Sequence, residues 1–180
     1  MHGALHKFFT EDHRRLESLL EQSFIQSDHI EEVAYAKFRA GLLKHIGLEE
    51  KILIPVLKKS YEDRPYPLAV TLRLEHGAIA ALLVLPPSTT IKNVLLGILQ
   101  HHNVREESEK GFYADCDCVM ADAVETMLDK VHHYPDVPVM PYNNTQHAHD
   151  AARRAVSRAG YDFDRLANTS IPKNNNVKDE

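Results

Sequence analysis

The chain has 180 residues, of which 43% are hydrophobic and 26% charged, with only 7 glycines; this excludes collagen-like, low-complexity and disordered classes and fits one packed domain with an appendage. A formal net charge of −5 argues against a nucleic-acid binder, which would carry a basic patch. The 2 cysteines, spaced Cys116-x-Cys118, cannot build a disulfide framework and point to a reducing compartment, while the 12 histidines are the compositional oddity.

The opening residues, MHGALHKFFTEDH, hold no apolar run of signal-peptide length. The longest apolar stretch, Ala78 to Leu85, falls far short of the roughly 20 residues a bilayer requires. The expectation is a cytoplasmic protein with no membrane partner.

Apolar periodicity predicts a first helix over about 4 to 26, along Leu5, Phe9, Leu16, Leu20 and Phe24. A second spans about 30 to 59 along Ala34, Phe38, Leu42, Ile52 and Val56, bent near its end by Pro55. A third follows Pro65-Tyr66-Pro67 with Leu68, Leu72, Ile79 and Leu83 on one face, and Pro86-Pro87 stops it. Ser88 or Thr89 caps a fourth, carried by Ile91, Leu95, Ile98 and Leu99 to about residue 114. The connecting loops are short, so consecutive helices should be antiparallel neighbours, giving an all-α, up-down-up-down four-helix bundle over 1–115. A second helical stripe runs through Val119, Ala123, Val124, Met127 and Val131. Pro135, Pro138 and Pro141 then mark an extended linker before a short helix over roughly 146 to 167. These form a helical extension over 116–168, followed by a polar, flexible tail over 169–180. The extension could cover the bundle, form a homodimer or bind a partner.

The phase of the histidines on these stripes carries the chemistry. His13 lies four residues after Phe9, His45 three after Leu42, His76 four after Leu72 and His102 four after Ile98, so each helix turns one histidine inward. Glu49 follows His45 at i+4 and Glu106 follows His102 at i+4, on the same faces. The pattern H-x-x-x-E-E therefore repeats on helices two and four, as His45-Ile-Gly-Leu-Glu49-Glu50 and His102-Asn-Val-Arg-Glu106-Glu107. Counted from one end of the bundle, His13, His45, His76 and His102 stand at heights of roughly 20, 22, 14 and 18 Å, which is one layer within the uncertainty of the helix ends.

A single inward histidine is most simply a hydrogen-bonded core residue. Four imidazoles and two carboxylates buried in one layer without a cation would instead carry several uncompensated desolvation costs. Imidazole and carboxylate donors without thiolate suit iron, manganese or zinc, and the set exceeds what one tetrahedral zinc requires. Two carboxylates able to bridge suggest a dinuclear centre, with iron the leading choice.

These motifs resemble the hemerythrin-like, or HHE cation-binding, family of non-haem di-iron four-helix-bundle proteins. The resemblance rests on Asp12-His13-Arg14, on His45-x3-Glu49-Glu50 followed by Ile52-Leu53-Ile54-Pro55, on Glu75-His76 and on His102-x3-Glu106-Glu107, and covers roughly residues 4 to 115. It implies two non-haem irons, with manganese or zinc as substitutes. His13 and His45 would hold one ion, His76 and His102 the other, and Glu49 and Glu106 would bridge both. It also implies binding, sensing or handling of O2, NO, peroxide or iron itself.

The chain departs from the oxygen carriers of that family. They use H-x-x-x-H in the third helix, whereas Ala80 stands four residues after His76, leaving the second ion one histidine short. They place the fourth-helix carboxylate at i+5 from histidine, a spacing that His101 has to Glu106, so His101 rivals His102. These departures speak against plain oxygen carriage, and a di-iron enzyme (a peroxidase, an oxidase or a protein repairing iron centres) is the alternative. His6, one face-repeat before His13, reads as a packed histidine. Glu109 and Tyr113 continue the Glu106 face as supporting groups or an extra ligand, Tyr113 reading more simply as core. Cys116 and Cys118 with His132-His133 or His147-x-His149 imitate a zinc site, but at spacings that match no common pattern.

Overall fold

The computed structural model describes residues 2–25, 29–62 and 64–169, so the expected tail lies, apart from Thr169, outside the described residues. Every helix or strand-type element among them is helical: α1 (Ala4–Gln22), α2 (Glu32–Leu48), α3 (Ile54–Ser60), α4 (Ala69–Leu83), α5 (Thr89–Glu107), α6 (Phe112–Val119), α7 (Val124–His132), α8 (Gln146–Arg158) and α9 (Phe163–Ala167). No helix among the described residues is long and apolar enough to cross a membrane.

Two differences from the periodicity reading bear on function. The expected 30–59 helix is interrupted by a π-helical turn, Glu49–Leu53, between α2 and α3. Pro55 has no N–H to continue the ladder, and the wider turn just before it closes with Ile54 N–H donating to the Glu49 carbonyl. Glu49 thus stands at the mouth of a π turn, a local distortion often found at functional sites. The expected fourth helix stops at Glu107 rather than 114. Ser108 is extended and the chain reverses through Gly111, where a Cβ would lie 2.5 Å from the Arg105 carbonyl oxygen. Tyr113 therefore arrives on a separate helix, α6, while Glu109 is exposed.

The long helices touch in a closed cycle, α1 with α2, α2 with α4, α4 with α5 and α5 with α1. Two buried apolar clusters sit on either side of the histidine layer. One contains Leu16, Leu20, Phe38, Leu42, Ile79, Leu82, Leu95 and Ile98. The other contains Leu5, Phe9, Leu53, Leu57, Leu72, Phe112 and Cys116. Along α1 the second cluster precedes His13 and the first follows it. Along α2 Phe38 and Leu42 of the first cluster precede His45 and Leu48 of the second follows it, and along α4 Leu72 of the second precedes His76 and Ile79 of the first follows it. On α5 Leu95 and Ile98 of the first precede His102, and the second resumes beyond it at Phe112 of α6. Each large side chain buried in these clusters contributes about 1.5–3 kcal/mol, which is the favourable term set against burying the polar layer between them.

Later segments close over this frame. Asp117 on α6 accepts hydrogen bonds from the backbone N–H groups of Leu5 (3.0 Å) and His6 (3.4 Å), satisfying donors left free at the start of α1. Met127 and Val131 of α7 join the second cluster, whereas Val119, expected on the same stripe, is exposed. The helix expected over 146–167 is two, α8 and α9, broken by a turn at Gly160; α8 packs on α4 and α9 on α5.

Candidate metal centre

The six residues selected by phase converge. His13 on α1, His45 on α2, Glu49 at the π turn, His76 on α4, and His102 and Glu106 on α5 are all buried, the two glutamates with no exposed surface. They form two groups that share both glutamates: His13, His45, Glu49 and Glu106, and His76, His102, Glu49 and Glu106. In each group one ligand-type atom per residue lies within 4.8 Å of the others.

Each glutamate divides its oxygens between the groups. Glu49 turns Oε1 to Nε2 of His45 (3.3 Å) and Oε2 to Nε2 of His76 (3.2 Å). Glu106 turns Oε2 to Nε2 of His13 (3.5 Å), and Oε1 to Nε2 of His102 (3.2 Å) and of His76 (3.9 Å). This is the disposition a pair of bridging carboxylates needs.

The orientation of the imidazoles comes from residues that periodicity did not single out. Nδ1 of His13 meets Glu107 Oε1 at 2.7 Å, and Nδ1 of His45 meets Asp12 Oδ2 at 2.8 Å. Nδ1 of His76 meets Glu50 Oε1 at 2.9 Å, and Nδ1 of His102 meets Glu75 Oε2 at 3.0 Å. An ionised carboxylate only accepts, so each Nδ1 carries the proton and, in the neutral ring, each Nε2 lone pair faces inward. Behind each acid stands an arginine: Arg14 on Glu107, Arg15 on Asp12, Arg73 on Glu50 and Arg105 on Glu75. Burial works against ionising these four acids. Their histidine partners and the arginines outweigh it, and all four lie below the ordinary carboxylate range. The adjacent pairs Asp12-His13, Glu75-His76, Glu49-Glu50 and Glu106-Glu107 are the available sequence signal for this outer ring, but each outer acid serves a histidine on a different helix.

The centre is left electrostatically incomplete. Glu49 Oε2, Glu106 Oε1 and His76 Nε2 are buried and meet one another or His102 Nε2 only at 3.2–3.9 Å, without a formed hydrogen bond, a condition expected to cost about 1–3 kcal/mol per group unless something supplies the contact. Burial opposes charging His45 and His76. The surrounding carboxylates win, lifting His45 to about 10 and His76 well above its usual value, and they hold Glu49 well below its own. The field thus favours positive charge at the inward nitrogens of His45 and His76, from protons or from a metal cation. Each of the two His/Glu groups could hold a metal ion, and the outer acid on every imidazole is the usual support of metal-binding histidine.

Tyr113 distinguishes the two groups. Its hydroxyl lies 2.6 Å from Glu49 Oε1, 3.1 Å from Glu106 Oε2, 3.1 Å from His45 Nε2 and 3.2 Å from His13 Nε2. It is in contact with all four residues of the first group, and burial beside the two carboxylates pushes its pKa well above the usual phenol value. Periodicity put it on the right face for the wrong reason, as a continuation of α5.

The remaining candidates fall outside the cluster. His101 is exposed and faces the Tyr161 ring, with centroids 6.0 Å apart. His6 is buried but bonds through Nε2 to the Glu107 backbone carbonyl at 2.8 Å. Cys116, Cys118 and the histidines at 132, 133, 147 and 149 form no ligand group among the described residues. Comparison with protein-family models, with curated proteins and with solved structures finds no match for this chain.

Proposed function

We propose that this chain is a hemerythrin-like, non-haem di-iron protein in which α1, α2, α4 and α5 act as an up-down-up-down four-helix bundle around the two ions. The observation that carries the reading is the set of four imidazoles, each turned by an outer carboxylate so that Nε2 faces two glutamates whose oxygens are split between two groups. The alternating order of the apolar clusters about each histidine supports the bundle.

Bound reduced iron supplies electrons and exchangeable coordination positions for a small ligand such as O2, NO or peroxide. The chain's own part is to hold, orient and shield. Glu49 and Glu106 tie the two halves together, and the outer acids fix the imidazole tautomers. The apolar clusters above and below exclude bulk water, and Tyr113 holds a proton at its hydroxyl beside the first group. With Ala80 where a further histidine would stand, each group offers two histidines and two shared carboxylates, leaving room for an exogenous ligand.

That room also favours a second reading, a di-iron peroxidase or oxidase, in which the Tyr113 hydroxyl would hold a proton beside the first group. The deciding experiment mixes the anaerobically reduced, iron-loaded protein with O2, NO and peroxide in a stopped-flow spectrometer. A reversible adduct supports a carrier or sensor, and multiple turnovers support an enzyme. A protein that retains no iron, or whose iron reacts with none of the three, contradicts both.

A further inference from the structure

Apart from Tyr113 at the first group, the two halves of the centre are alike in their outer acids except at Glu75. Asp12, Glu50 and Glu107 each accept from one histidine and from arginine. Glu75, fully buried, accepts in addition from a phenol: the Tyr161 hydroxyl donates to Glu75 Oε1 at 2.5 Å, the oxygen that also takes Arg105 at 2.7 Å. Its other oxygen holds Nδ1 of His102 at 3.0 Å. No hydroxyl bonds to Asp12, Glu50 or Glu107 among the described residues.

Tyr161 is delivered there by a built turn. α8 ends with the Gly160 N–H bonded to the Ser157 carbonyl and the Tyr161 N–H to the Val156 carbonyl, the paired bonds of a Schellman cap. Gly160 sits at φ 89, a conformation side chains resist. α9 then seals against α5: Leu166 fills the space beside Gly97, and the Ala167 carbonyl accepts from Asn93 Nδ2 at 3.1 Å. The extension thus ends in a fixed geometry that sets the Tyr161 hydroxyl on the acid behind His102, where it also accepts from Arg105 Nη1 at 3.3 Å.

We infer that Tyr161 is a positioning residue for the His76–His102 ion, and that through the chain Tyr161–Glu75–His102 the α8–α9 extension is energetically linked to occupation of that half of the centre. This rests on the proposal that the centre holds two metal ions. A third donor on Glu75, beside His102 and Arg105, fixes the carboxylate, and with it the His102 ring, in the orientation an ion requires; ring and carboxylate hold the tyrosine in return. Linkage is reciprocal, so an ion at this half steadies the extension as much as the extension favours the ion.

The test is calorimetric titration of the full metal-free chain with Co2+, wild type against Tyr161→Phe, which keeps the ring and removes the hydroxyl. Wild type should bind two ions. The variant should bind one unchanged and the other about three- to tenfold more weakly, less than the 10–100-fold typical when an acid directly on a metal-bound histidine is removed. Proton NMR of the Co2+-loaded samples should show the exchangeable ring proton of His102 shifted in the variant, with those of His13 and His45 unmoved. Hydrogen exchange should show α8–α9 amides protected by loading in wild type and not in the variant. Equal weakening of both ions, or unchanged binding with unchanged exchange, overturns the inference while leaving the metal pair standing. A wild type that binds no pair of ions overturns the metal reading itself, and this inference with it.

Discussion

Glu107 on α5 holds Nδ1 of His13 on α1 at 2.7 Å, so the acid that follows a bridging glutamate in sequence orients the histidine of a neighbouring helix. The same relation joins Glu50 to His76 at 2.9 Å. Replacing either acid with alanine leaves the inward ligand set intact but frees the ring to turn and lowers its basicity. Glu107→Ala and Glu50→Ala should each weaken metal binding by about 10–100-fold, the first at the His13 ion and the second at the His76 ion. Competition with a chromophoric chelator measures it, and affinities equal to wild type would show that the outer acids are incidental.

Periodicity was enough to find the six inward residues because each lies on an apolar stripe, and a face is what helical phase reports. It does not report which neighbour a side chain on the stripe's edge will meet. Asp12, Glu50, Glu75 and Glu107 therefore look like ordinary edge acids until α1, α2, α4 and α5 are set side by side. Tyr113 was legible on the Glu106 face as a supporting group, but not its separate helix, because the reversal at 108–111 interrupts the helix without interrupting the stripe. Tyr161 carries no periodic signal at all. It reaches Glu75 across 86 positions of sequence through a turn that only the Gly160 backbone discloses.

Glu49 and Glu106 are the shared members of both groups, and the expected hierarchy follows. Glu49→Ala or Glu106→Ala should lose both ions, because each removes an oxygen from each group. His102→Ala should lose or weaken one. His101→Ala and His6→Ala should lose none, since His101 is exposed and His6 is engaged with a backbone carbonyl. Elemental analysis of the purified variants reads all five. Metal loss in His101→Ala equal to that in His102→Ala would reverse the assignment between the neighbouring histidines.

The raised pKa values of His45 and His76 make loading a proton exchange. In the metal-free protein His45, lifted to about 10, and His76, well above its usual value, both carry protons at neutral pH. An ion taking their Nε2 atoms must expel about two protons. Calorimetry in two buffers of different ionisation enthalpy should recover that release at about pH 7, with apparent affinity rising as pH is raised. Stability of the metal-free protein moves the opposite way. His45 titrates near 6.5 when unfolded, so its contribution is fully present below that pH and fades as pH rises through about 10. The melting temperature of the metal-free protein should fall over that interval and that of the loaded protein should not. No proton release would mean the imidazoles are neutral before metal arrives.

Tyr113 makes the last prediction, because its hydroxyl is the partner that Glu49 Oε1, Glu106 Oε2, His13 Nε2 and His45 Nε2 have in common. Tyr113→Phe keeps the ring stacked on Phe9, at 5.1 Å between centroids, and removes only the polar contact. In the metal-free protein this strands buried acceptors and should cost about 1–3 kcal/mol. An ion in the first group supplies those atoms with a stronger partner, so the same substitution should cost much less once metal is bound. Denaturant melts of wild type and variant, each with and without metal, close the thermodynamic cycle. An equal loss in both states would mean that the hydroxyl still matters when the ion is present, and would place it among the ligands of the first ion.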